Sequence, residues 1–434
     1  MLWLYRFLFL PALLVLAPRY LWRMRRRGGY KEKFTHRFGS HEGLPPKRRG
    51  AKRVWLQAVS VGEMLAIAPL LEGLLKREGV EIYLTTTTST GHRLALDRYG
   101  QTILGLGYFP IDWWPFSVRA WRRIRPDLVI LTEGERWPEH LHQAERRGVP
   151  VVCINARMSD RSYRRLARWP AVNRALFHGI SRLLAGSEHD AERFRALGVS
   201  PERISTTGNL KLDVAIAPLA REERQQLQRE LGLGEGFVLL GSSTWPGEEQ
   251  ALLQALRAAR GRGLRCSLLI VPRHAERRPE LERLIRDSGV SFHFRSHGAA
   301  PGEVDVAVGD TTGELRKFTQ LADLVFIGKS LPPNEGGQTP VEAAALRKPI
   351  LLGPRMSNFR PIARELLACG AAAEVADEFA LASEAPALLA DAPRRAAMAE
   401  AAGGWHRANA GAVERTLAVL HDELAKLDAA RIRS

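Results

Sequence analysis

One rhythm limits what this chain can fold into. Short apolar runs alternate with amphipathic helical runs, and the alternation stops and restarts once. Strands are expected near 53–59, 81–87, 102–108, 127–132, 150–155, 181–186 and 204–207, with helices near 63–77, 89–99, 115–123, 137–147, 161–178 and 188–197. Residues 214–235 read as a polar linker plus a charged helix. The rhythm resumes with strands near 237–242, 266–271, 304–308, 324–328 and 349–352, and helices near 247–260, 276–287, 313–321, 340–346 and 359–368. Such alternation implies mostly parallel sheets with helices on both faces. A chain of 434 residues is too long for one core, so two α/β halves are expected, with a cleft between them as a ligand site. The Ala-rich stretch 377–430 is expected to be helical. The expected division is 1–27 as a membrane-associating helix, 28–215 and 216–405 as two domains, and 406–434 as a C-terminal helix.

The first half centres on Val54-Trp55-Leu56-Gln57-Ala58-Val59-Ser60-Val61-Gly62-Glu63, a strand, a sharp turn and a helix start. Open α/β sheets bind ligands at the carboxyl ends of their strands, where Glu63 falls. Glu63 is either a helix cap or a reacting carboxylate, and its position alone does not decide. Glu133 and Glu135 end another expected strand, and Lys211 follows the strand at 204–207. Carboxyl ends of parallel strands share one edge, so Glu63, Glu133 and Lys211 can converge there. Capping of the next helix is the alternative for the two later carboxylates. Thr85 to Gly91 is a hydroxyl-rich strand end that either lines a sugar or phosphate pocket or caps a helix, the commoner case.

The second half looks built for anions. Gly241-Ser242-Ser243-Thr244 and Asp310-Thr311-Thr312-Gly313-Glu314 each lie between a strand and a helix, where free backbone N–H groups bind phosphate. Pro272-Arg273-His274 ends a strand with a cation. Gly328-Lys329-Ser330 and the glycine-rich Glu335 to Glu342 then enter a helix carrying Glu342 in its first turn. That pattern suits a nucleotide, with backbone for phosphate and carboxylate for ribose; a surface loop with a capping Glu is the alternative. There is no Asp-x-Asp pair, Walker loop, nucleophile elbow or His-Glu-x-x-His, so no metal is signalled.

The charge of +17 points to acidic partners, and no nucleic-acid module accompanies it. Three widely separated cysteines argue against disulfides and fit a reducing compartment. Residues 2–22 are apolar and aromatic, followed by Arg23, Arg25, Arg26 and Arg27. A span needs about 20 mainly apolar residues. Arg6, Pro11, Pro18 and Arg19 weaken that reading, leaving a marginal span or a helix lying in the interface. If it spans, the arginines keep the body cytoplasmic.

As an ordered set, these motifs resemble the Kdo transferases of lipopolysaccharide biosynthesis. The likeness covers Gln57–Glu63, Thr85–Gly91, Thr132–Pro138, Asn155–Ser159, Gly208–Lys211, Pro272–His274, Gly313–Leu315 and Gly336–Glu342. It implies a GT-B glycosyltransferase fold of two Rossmann-like domains facing a cleft. It implies inverting transfer of Kdo from CMP-Kdo to the 6′-hydroxyl of the lipid A precursor, without metal or other cofactor, at the cytoplasmic face of the inner membrane. By motif, Glu63 would be the general base, and Glu133 and Lys211 would stabilise the transition state. Pro272, Arg273, Thr312, Gly313, Glu314, Thr339, Pro340, Val341 and Glu342 would hold CMP.

Two segments depart from the family pattern. Its Gly-His-Asn-Pro-Leu-Glu-Pro is Gly337-Gln338-Thr339-Pro340-Val341-Glu342-Ala343 here, and its Glu-Thr-Glu-Leu-Trp-Pro is Glu133-Gly134-Glu135-Arg136-Trp137-Pro138. These changes put the donor sugar and affinity in question, so another GT-B transferase with a different nucleotide sugar stands as the alternative. A basic, non-catalytic protein for anionic lipid is a third reading.

Overall fold

The computed structural model describes residues 2–26, 32–41 and 43–432; Arg27, expected to close the basic cluster, lies outside them. Two compact units form, one from residues up to Asp213 joined by those from Gly411 onward, the other from Val214–Ala410.

The first unit holds seven strands: β1 (Lys52–Ala58), β2 (Val80–Thr86), β3 (Gly105–Tyr108), β4 (Leu128–Thr132), β5 (Val151–Ala156), β6 (Arg182–Ala185) and β7 (Ile204–Thr206). Their order is β3-β2-β1-β4-β5-β6-β7, all parallel. The order reverses between β1 and β4, where Val54 pairs with Ile82 on one side and Leu128 on the other. Every residue of β1 is buried. Val54, Leu56 and Ala58 point into a core shared with Met64, Ile67, Leu70 and Leu71, while Trp55 enters a second core with Tyr83, Trp121 and Val129. Burial on both faces is what an all-parallel sheet requires, and it explains the nearly continuous apolar run.

The second unit repeats the plan with β8 (Phe237–Thr244), β9 (Cys266–Pro272), β10 (Phe292–Phe294), β11 (Val306–Val308), β12 (Leu324–Ile327), β13 (Ile350–Leu352) and β14 (Ala372–Glu374). The order is β10-β11-β9-β8-β12-β13-β14, again parallel, with the reversal between β8 and β12. The edge strands β10 and β14 have no counterpart in the sequence reading. Neither is a continuous apolar run: His293 interrupts β10 and Glu374 ends β14, whereas the equally short β11 and β13 are wholly apolar.

Several expected elements shift. The strand expected from 102 starts at Gly105, because the N–H groups of Thr102 and Ile103 turn back to Tyr99 O. The helix expected over 161–178 is two, Asp160–Ala167 and Pro170–Phe177; Pro170 cannot continue a helix but can begin one. The Ala-rich end forms Glu378–Ala390, Ala392–Asn409 and Ala412–Ile432. A boundary at 405/406 falls inside the second of these, and the chain changes unit at 410/411. Asp213 accepts the N–H groups of Gly411 and Val413 at 3.0 and 2.6 Å, and Leu420 and Leu424 then complete the first unit's core. The N-terminal residues Leu2–Arg26 form one helix.

Candidate active site

In the first unit the turn after β1 is shaped by Ser60. Its hydroxyl caps the helix Val61–Leu75 by accepting Glu63 N–H at 3.5 Å. The Glu63 side chain reaches back to accept Val59 N–H at 2.9 Å, so this residue does fix the helix start. A second bond comes from outside the turn. Thr132, the last residue of neighbouring β4, donates its hydroxyl to Glu63 Oε2 at 2.5 Å. Both bonds fall on Oε2, and Oε1 has no partner among the described residues. Burial pushes the Glu63 carboxyl above its ordinary range, against the bonds from Thr132 and Val59; the Glu133 charge adds to the rise and Lys211 opposes it. The result is a half-buried carboxylate, aimed by two donors, with one open oxygen and an increased proton affinity. Such a group is equipped to accept a proton.

Glu133 follows Thr132 with φ of 55°, the left-handed region that non-glycine residues seldom occupy. Its N–H donates to Ile154 O at 2.9 Å, which holds the bend against β5. Its carboxylate meets Lys211 Nζ at 2.5 Å. Lys211 is placed by two asparagines. Asn155 Oδ1, at the end of β5, accepts Leu210 N–H at 3.1 Å, and Asn209 Oδ1 accepts Lys211 N–H at 3.0 Å. The structure thus gathers Glu63, Glu133 and Lys211 at the carboxyl edge where the strand order reverses, the usual ligand position in such sheets.

Three more residues belong here and were not singled out as site residues by sequence reasoning. Thr132 and Asn155 position the others. Glu135 is pushed up to about 7, first by burial and then by the Glu63 charge. Its signal was present, a second carboxylate one glycine beyond Glu133. The hydroxyl-rich end of β2 resolves largely as structure. Thr88 caps the helix Ser89–Tyr99 by accepting Gly91 N–H at 3.1 Å, and Thr85 joins buried Trp55 and Gln57 at 2.9 and 2.8 Å.

In the second unit the ends of β8, β9, β11 and β12 form the matching edge. Pro272 closes β9, and Arg273 N–H donates to Thr244 O at 3.1 Å. The Arg273 side chain is exposed and, among the described residues, has no acidic partner. Beyond β11, Thr312 and Gly313 are exposed, Gly313 with φ of 91°. Glu314 stands before the helix Leu315–Leu321 and pairs with Arg295 at 3.5 Å. Beyond β12, Gly337 and Gln338 donate backbone N–H groups to Lys329 O and Gly328 O at 2.8 and 3.0 Å. A side chain on Gly328 would sit 2.3 Å from Ser243 O, so only glycine lets these loops meet.

Thr339 Oγ1 accepts Val341 N–H at 3.3 Å, Pro340 precedes the helix Val341–Ala345, and Glu342 takes Arg316 at 2.7 Å. That helix has five residues, so it offers little of the dipole expected for a phosphate. Pro272, Arg273, Thr312–Glu314 and Thr339–Glu342 therefore share one sheet edge, but Glu314 and Glu342 already hold arginine partners.

Residues 32–214 match the family model for 3-deoxy-D-manno-octulosonic-acid transferase (kdotransferase). The chain is 35% identical over 435 residues to the 3-deoxy-D-manno-octulosonic acid transferase of Bordetella pertussis, covering 95% of this chain and 98% of that one. The chain belongs to the Kdo transferase family. The Haemophilus influenzae transferase is 31% identical over 416 residues, covering 95% of this chain and 94% of the relative. A solved UDP-N-acetylglucosamine 2-epimerase homologue from Listeria monocytogenes superposes with a TM-score of 0.56 at 16% identity, over 87% of this chain and 97% of that one. That likeness speaks for fold alone. The enzyme is a Kdo transferase, a glycosyltransferase with the two α/β units of a GT-B fold.

Proposed function

We propose that this transferase moves Kdo from CMP-Kdo to the 6′-hydroxyl of a lipid A precursor (lipid IVA), with inversion and without a metal. The observation that carries the reading is the Glu63 carboxylate, held through Oε2 by Val59 and Thr132 with Oε1 open. Glu63 Oε1 accepts the hydroxyl proton as the acceptor oxygen forms its bond to the Kdo anomeric carbon. The bond from that carbon to the CMP phosphate oxygen breaks, and its electron pair leaves with CMP. Attack opposite the leaving group inverts the centre. The proton ends on Glu63. The Glu133–Lys211 pair supplies preorganised charge to the oxocarbenium-like transition state.

In the same proposal the second unit's edge holds CMP, with Pro272, Arg273, Thr312, Gly313, Glu314 and Thr339–Glu342 around it. The exposed Arg273 meets the growing phosphate charge, a role that needs no divalent ion for a monophosphate leaving group. The basic chain, with an apolar N-terminal helix, works at the cytoplasmic face of the inner membrane, where lysine and arginine gain about 1 kcal/mol each near anionic lipid. Purified enzyme with CMP-Kdo and lipid IVA should yield acceptor heavier by one or more Kdo units in mass spectrometry, unaffected by EDTA. Folded enzyme that adds no Kdo, or that prefers a UDP-sugar in a nucleotide panel, refutes the reading.

A further inference from the structure

The N-terminal helix Leu2–Arg26 has 25 residues, about 37 Å of helix, long enough to cross a bilayer. Its first turns do something a spanning helix cannot. Arg6 forms a two-pronged ion pair with Glu139, Nε to Oε2 at 2.7 Å and Nη2 to Oε1 at 3.0 Å. The side chains are 13% and 0% exposed, and Arg6 also lies over the Trp114 ring at 5.8 Å. Tyr5 donates its hydroxyl to Asp112 Oδ2 at 2.6 Å. Asp112 is itself buried and accepts the N–H groups of Glu139 and His140 at 3.2 and 2.9 Å, fixing the start of the helix Pro138–Arg146. Releasing Arg6 would leave a fully buried Glu139 without its counter-charge, which is strongly unfavourable.

The other flank returns to the same place. Beyond the helix, Arg37 O accepts Ile111 N–H at 2.9 Å, and the Phe38 and Phe116 rings meet at 5.2 Å. Both flanks of the helix are therefore held at residues 111–116 of one compact unit. A spanning helix must instead place its ends on opposite sides of a hydrocarbon core about 30 Å thick. Yet the helix is not a buried core element: Trp3, Phe7, Val15 and Leu16 are 79, 77, 77 and 62% exposed. The exposed Arg19 adds cationic charge to this apolar surface.

We propose that the helix is monotopic. Both ends stay on the side of the α/β units, clamped by Arg6–Glu139 and Tyr5–Asp112, and the exposed apolar residues enter the headgroup–acyl boundary of one anionic leaflet. The inference rests on the membrane-surface reading above and not on the donor or acceptor. A chain that adds no Kdo would leave its topology result standing.

The test uses the full chain in bacterial inner membranes. Leu4 and His142 line one apolar cavity of about 510 Å³ between the helix and the body. With Leu4→Cys and His142→Cys, a short bifunctional maleimide should give a peptide linking positions 4 and 142. No link, although both cysteines take up a single-ended maleimide after lysis, overturns the proposal. So does labelling of Cys at position 4 by a membrane-impermeant maleimide in intact spheroplasts. Val15→Glu should lower binding to phosphatidylglycerol vesicles by roughly tenfold, with turnover in detergent unchanged. Unaltered vesicle binding removes the leaflet contact.

Discussion

Each unit places a glutamate at the same topological point, on the helix that follows the central strand where the sheet order reverses. Glu63 follows β1 and Glu248 follows β8. Glu63 reaches the last residue of β4 and Glu248 the loop just beyond β12, but the two carboxylates are bonded differently. Glu248 is 1% exposed and accepts four backbone N–H groups, from Trp245, Lys329, Ser330 and Leu331, at 2.9, 2.8, 2.8 and 3.1 Å. Burial raises its proton affinity too, against those donors, but no lone pair is left over for a ligand. Glu63 accepts two donors on one oxygen and keeps the other open. A carboxylate at a sheet's switch point is thus structural or reactive according to how many of its oxygens the fold consumes, not according to where it stands.

The largest effects should separate the two glutamates. Glu63→Gln removes the proposed proton acceptor while keeping shape, and is expected to cut kcat by about a hundredfold to ten-thousandfold with CMP affinity unchanged. Calorimetry with CMP and an acceptor assay check both halves. Wild-type-like turnover would show that Glu63 is only a cap. Glu248→Ala leaves up to four buried N–H groups without an acceptor, and is expected to cost on the order of 3 kcal/mol of stability. Glu63→Ala should cost about 1 kcal/mol, the loss of a helix-start contact. Urea midpoints followed by circular dichroism measure both, and equal losses would erase the distinction.

Next in size is Arg273→Ala. The exposed guanidinium has no acidic partner among the described residues, so its removal disturbs no internal pair. Loss of one charge-assisted contact to phosphate is expected to weaken CMP binding by roughly tenfold. Unchanged affinity would move the phosphate contact elsewhere on that edge.

The strand–helix rhythm was legible because parallel strands are buried on both faces and so read as continuous apolar runs. Val54 to Glu63 stood out for that reason. The convergence of Glu133 and Lys211 was legible too, because all carboxyl ends of one parallel sheet share an edge. What the sequence hid was strand order. Nothing local says that β4 lies beside β1, so Thr132 could not be seen as the partner of Glu63. For the same reason nothing along the chain marks Glu248 as the acceptor for Lys329, Ser330 and Leu331. Strands β10 and β14, interrupted by His293 and ended by Glu374, lack the continuous apolar run that marks the equally short β11 and β13. The docking of Arg6 on Glu139, 133 residues apart, is equally invisible along the chain, where Arg6 registers only as a flaw in an apolar segment.

The smallest expected effect tests how the first switch point tunes its carboxylate. Thr132→Val keeps shape and burial but removes the hydroxyl that donates to Glu63 Oε2. A hydrogen bond to the charged form favours that form, so its loss raises the Glu63 pKa further. A base acts only when deprotonated, so the acid limb of the kcat profile should move to higher pH. At alkaline pH, where Glu63 is ionised in both proteins, the rates should approach each other, apart from any loss of aim. Replacing Lys211 by Met should shift the limb in the same direction, because that cation also favours ionised Glu63, but it should depress the plateau as well by removing charge from the transition state. Profiles of the two variants therefore separate tuning from stabilisation. A Thr132→Val limb that stays in place would mean that Thr132 does not tune Glu63, leaving burial, Val59 and the charges of Glu133 and Lys211 to set its proton affinity.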